Sequence, residues 1–169
     1  MTLSEDLRGI SVDTGLADHD ADSLASDEHL RYDFYLKAFA LAPPPDDRTL
    51  LSVVLRDPDH AMGEAAAVAF VRRQAQQHAS YQSFASWAAG VSDITRSRAF
   101  LSGRIQEWSE FKQVMETRHL SSDSLNQFSD WLQRRLSEEA ESPEVLATLA
   151  ESGRTKRIRN TAKQHLESP

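Results

Sequence analysis

Apolar residues in this 169-residue chain recur at three- and four-residue intervals, and no segment alternates apolar with polar residues long enough for a strand. That period restricts the fold to packed helices. Leu30, Phe34, Ala38 and Leu41 mark a first helix from Ser26, ended by Pro43-Pro44-Pro45. Asp46 or Asp47 is placed to cap a second helix carrying Leu50, Leu51, Val54 and Leu55. Asp57-Pro58 then closes it and opens a third, with Asp as cap and Pro at the first helical position.

Further along, Ser80 caps a short helix with Tyr81, Phe84 and Trp87 that is expected to stop at Gly90. Asp93 is the expected cap of a longer helix reaching toward Arg118, with Gly103 as a point where it bends or breaks. Ser121 or Ser122 caps the next, whose buried stripe is Leu125, Phe128, Leu132 and Leu136. Ser142-Pro143-Glu144 supplies a cap, a first-position proline and an acidic first turn. Gly153 is expected to end that helix in a left-handed conformation, and residues 154–166 form the last helix, with Ile158 and Ala162 inward.

Two stretches, LLSVVLRDPDHAMGEAAAVAFV and VLATLAESGRTKRIRNTAKQHL, follow one plan: a short apolar helix, a tight turn, then a helix with small residues inside and charges outside. This plan resembles the helical hairpins of HEAT-like repeat proteins. The resemblance covers about 50 residues and implies hairpins that bury their faces by stacking, with an interaction surface and no chemistry of its own. Residues 80–140 depart from the pattern. The expected fold is therefore all-α, either helical hairpins packed as a short HEAT-like solenoid or an irregular helical bundle.

Charge is unevenly placed. Residues 1–47 hold 11 acids and 3 bases, whereas residues 48–169 hold 15 acids and 16 bases. Residues 1–24, with five aspartates and scattered apolar residues, are expected as an acidic, disordered leader, and residues 25–169 as a single helical domain. Absence of cysteine excludes disulfides and thiolate chemistry and suits a reducing compartment. The longest apolar stretch, residues 65–71, is far short of the ~20 needed to span a bilayer. A cytoplasmic protein without membrane contact is expected.

No nucleotide-binding loop, nucleophile elbow or metal-ligand spacing is present, so no enzyme activity, cofactor or metal is expected. His60 and Glu64 lie four apart on one helix face, as a half-formed acid/base pair or a surface hydrogen bond. The concentrated electrostatic feature is Arg154, Lys156, Arg157, Arg159 and Lys163, with Lys156, Arg159 and Lys163 expected as one stripe. These cations either engage a partner or pair with Glu138, Glu139, Glu141 or the leader. Trp108, Phe111 and Trp131 are candidate interface anchors within an aromatic-rich stretch that otherwise supplies core. The resulting expectation is a non-catalytic protein–protein interaction module, an adaptor, regulator or immunity-type partner. The alternative is a nucleic-acid binder using the basic last helix.

Overall fold

The computed structural model describes residues 2–14, 16, 21–41 and 46–167. The described residues form eleven helices and no strand: α1 (Leu3–Thr14), α2 (Ala21–Ser26), α3 (Glu28–Leu41), α4 (Asp46–Val54), α5 (His60–Gln77), α6 (Tyr81–Thr95), α7 (Ala99–Thr117), α8 (Ser122–Gln127), α9 (Asp130–Glu139), α10 (Pro143–Ser152) and α11 (Lys156–Glu167). By their contacts these helices group into two compact units. Unit 1 holds Met1–Gln77 with Ala88–Ser102, and unit 2 holds His78–Trp87 with Gly103–Pro169.

The expected leader is instead helical over α1. Thr2 and Glu5 form a reciprocal cap: Thr2 N donates to Glu5 Oε2 at 2.6 Å and Glu5 N to Thr2 Oγ1 at 3.3 Å. That bond to the Thr2 backbone lowers the Glu5 carboxyl pKa. Leu7 and Ile10, three apart, are buried, and Leu24 of α2 is buried with them in unit 1. A few well-spaced apolar residues thus anchor a segment whose mean composition reads as solvated. Asp18, Asp20 and the three prolines lie outside the described residues.

The core of unit 1 contains an ion pair. Arg31 and Asp57 are both under 5% exposed. Arg31 Nε donates to Asp57 Oδ2 at 2.9 Å, and Tyr35 OH donates to the same oxygen at 2.8 Å. Arg31 Nη1 also caps α2, reaching the Leu24 and Ala25 carbonyls at 3.0 Å each. Burial, reinforced by the Asp57 carboxylate, pushes the Tyr35 phenol far above its ordinary pKa. Asp57 is therefore not the cap of α5. That role falls to Asp59, whose Oδ1 accepts from Met62 N at 3.0 Å. Beside this turn Gly63 lies so close to α4 that an added Cβ would sit 2.7 Å from the Val54 carbonyl oxygen.

Gly90 and Gly103 do not end their helices. Val91 and Thr95, four apart and each 2% exposed, carry α6 past Gly90. The Asp93 carboxylate, expected as a cap, is taken by a fork from Arg48 at 2.8 and 2.5 Å. The chain turns at residues 96–98, where Arg98 Nη2 holds the Leu55 carbonyl at 2.6 Å.

In unit 2 the expected helix over residues 122–136 is two helices. Ser129 caps α9, accepting from Leu132 N at 3.2 Å. The buried Gln133 amide donates to the Leu125 and Phe128 carbonyls at 2.8 and 3.2 Å, satisfying groups released at the end of α8. Gly153 ends α10 with φ −56° and ψ 137°, so it is not left-handed. Glycine is required there by space, because a Cβ would lie 2.5 Å from the Leu149 carbonyl oxygen and 2.8 Å from Ile158 Cγ2. Ser142 sits at the cap position of α10, but its hydroxyl donates to the Arg118 carbonyl at 3.1 Å instead of capping. Leu132, Leu136, Leu149, Ile158 and Ala162 form the buried centre of α9, α10 and α11.

Candidate functional site

The aromatic candidates meet in unit 2. Trp108 on α7 lies edge-on to Trp131 on α9, with centroids 5.3 Å apart at 70°, and edge-on to Phe111 at 5.6 Å and 87°. Two guanidinium groups complete the assembly. Arg104 lies 4.0 Å from the Trp131 ring centre, and Arg135 lies 4.2 Å from that of Trp108. Each cation is oriented by its own helix, Arg104 by Glu107 and Arg135 by Glu139, both at 2.8 Å. Ser129 Oγ donates to Glu107, which joins the cap of α9 to the same network.

Exposure separates the three candidates. Trp108 and Phe111 are 3% and 8% exposed and belong to the core. Trp131 is half-buried and keeps part of its surface open. The aromatic cluster therefore leaves part of one residue, Trp131, at the surface, in contact with Trp108 and with two arginines.

The five basic candidates also separate. Arg154 is committed internally: its guanidinium donates to Asp130 at 3.1 Å and to the Asn126 and Phe128 carbonyls at 3.2 and 2.7 Å. Arg159, expected in a stripe with Lys156 and Lys163, turns back and donates to the Gly153 carbonyl at 2.6 Å. Lys156, Arg157 and Lys163 are exposed and make no hydrogen bond or ion pair with the described residues. The stripe is accordingly Lys156 and Lys163 with Arg157 beside them.

His60 is exposed, and Glu64 faces Arg98 at 4.0 Å. A histidine–carboxylate pair does occur elsewhere, His119 Nδ1 to Glu144 Oε1 at 2.6 Å, linking the end of α7 to the start of α10. The two partners are 25 residues apart, so no spacing signal announces them. Lys112 donates to the His78 carbonyl, and burial lowers its pKa against the opposing effect of Glu116. Among the described residues no group of three or more His, Asp or Glu is placed to hold a metal. No described helix is long and apolar enough to cross a membrane.

The described residues of each unit include a surface cleft. In unit 1 a cleft of about 470 Å³ runs past Ile10, Val53 and Ile94, with Asp6 and Arg56 facing at 3.5 Å. In unit 2 a cleft of about 390 Å³ is lined by Val114, Leu120, Phe128 and several hydroxyl and amide side chains. Neither includes Trp131 or any residue of α11. Comparison with family models, with curated proteins and with solved structures returns no match.

Proposed function

We propose that the chain is a non-catalytic binding module that engages another protein through the surface around Trp131. The observation that carries this reading is the half-exposed Trp131 ring, fixed by Trp108, Arg104 and Arg135. A rigid aromatic held in place before contact loses little conformational entropy on binding, and tryptophan with arginine dominates binding energy at protein interfaces. The HEAT-like reading belongs to the same proposal. Its support is the close approach of α5 to the end of α4 at Gly63 and of α11 to the end of α10 at Gly153.

The test is retention from native extract on immobilised protein. Trp131→Ala should weaken capture of a defined partner about 30-fold or more, the loss expected of an interface anchor. Trp131→Phe, which keeps a ring against Trp108 and Arg104, controls for folding and should retain most binding. A parent protein that stays monomeric and captures nothing at micromolar concentration overturns the reading.

A further inference from the structure

The outward half of α11 bears three cations that make no hydrogen bond or ion pair with the described residues. Lys156, Asn160 and Lys163 follow i, i+4, i+7, with Arg157 alongside, and all four are exposed. Within α11 itself the one acidic residue is Glu167, one turn beyond Lys163. Elsewhere the chain neutralises many of its arginines locally: Arg8, Arg31, Arg48, Arg56, Arg98, Arg104, Arg135 and Arg154 each lie within 4.0 Å of a carboxylate. We propose that α11 is a second, independent binding surface, which contacts the phosphate backbone of double-stranded DNA without reading its sequence.

Charge complementarity calls for an anionic partner, and the make-up of the face selects among anionic partners. A protein interface needs an apolar or aromatic centre, and this face has none. The large exposed apolar residue of α11, Leu166, is 40% exposed and lies outside the cation row. Single-stranded nucleic acid is held by stacking on aromatic rings, and α11 contains no aromatic ring apart from His165, which lies off the row. An anionic lipid surface takes a basic helix by burying its apolar side, but Ile158 and Ala162 are 2% and 0% exposed and already committed to the bundle. Lysine, arginine and asparagine are among the side chains that bond phosphate oxygens. Lys156 and Lys163 stand about 10 Å apart along the helix, and an exposed helix half fits the ~12 Å major groove of B-form DNA, whereas that of A-form RNA is too narrow.

The experiment is fluorescence anisotropy of the full chain with a labelled duplex of about 20 base pairs, titrated from about 50 to about 200 mM salt. Three phosphate contacts predict a log–log salt slope of about −2.7, an affinity loss of about 40-fold over that range. The exposed triple variant K156E/R157E/K163E should lose binding. A second variant with the same change in net charge, K37E/R72E/R96E, alters exposed cations of unit 1 and should retain it. Absence of binding by the parent at the lowest salt overturns the proposal. So does equal loss in both variants, or equal or tighter binding of single-stranded DNA, duplex RNA or polyglutamate. Each outcome is independent of Trp131.

Discussion

At the scale of single residues, the glycines divide by what surrounds them. Gly90 and Gly103 sit inside α6 and α7 with nothing within 4 Å of a built Cβ. Gly90→Ala and Gly103→Ala should each raise stability by about 0.5–1 kcal/mol, the helix penalty of glycine relative to alanine, measured by denaturant unfolding. Gly153→Ala should do the reverse. Its methyl meets a backbone oxygen at 2.5 Å, and relieving that contact moves α10 against α11, at a cost of about 1–3 kcal/mol. A glycine symbol alone does not separate these cases; the neighbours of the missing Cβ do. Tyr35 offers a matching test of the buried ion pair. Tyr35→Phe removes a 2.8 Å donor to Asp57 and should destabilise by about 2 kcal/mol, as for a hydrogen bond to a charged group. That Arg31 falls within the first helix was legible in the sequence. Its partner was not, because Asp57 lies 26 residues away in a turn that already reads as a helix cap.

At the scale of elements, caps decide where helices begin and side chains from elsewhere decide where they end. The break between α8 and α9 shows both effects. Ser129 followed by Asp130 is a legible start signal, but the stripe of Leu125, Phe128, Leu132 and Leu136 runs across it and favours one helix. Gln133 and Arg154 settle the matter by bonding the carbonyls that α8 leaves open. Ser129→Ala should cost about 1 kcal/mol through the lost cap, and hydrogen exchange should accelerate first at the Leu132 amide. At the start of α1, Thr2 and Glu5 have the spacing of a reciprocal cap, whereas the expectation of a leader rested on acidic composition alone.

At the scale of the whole molecule, the two units differ in charge. Unit 1 carries 15 acids and 9 bases, and unit 2 carries 11 acids and 10 bases. Acid should therefore act on unit 1 through its carboxylate ties. The Arg48 fork holds the Asp93 carboxyl down to about 2. A carboxyl with a depressed folded-state pKa contributes stability above its unfolded value of about 3.9, and that contribution fades as pH falls toward about 2. Both partners are exposed, so the effect is modest and screened by salt. The melting-temperature difference between the parent and Arg48→Gln should accordingly narrow as pH falls through this window, and should also narrow when salt is raised at neutral pH.

The helical class, the starts of α6, α8 and α10 and the positions of the main apolar stripes followed from the sequence by itself, because period and capping act within about one to four residues. The division into two units, the Arg31–Asp57–Tyr35 cluster and the break at Ser129 were decided only by tertiary structure. Each depends on groups brought together from distant parts of the chain, where burial makes an unpaired charge or carbonyl costly. The candidate surfaces divide along the same line. Sequence placed five cations on the last helix and three aromatic rings in the middle of the chain. Packing then buried Trp108 and Phe111 and tied Arg154 and Arg159 to backbone carbonyls, leaving Lys156, Arg157, Lys163 and part of Trp131 available at the surface.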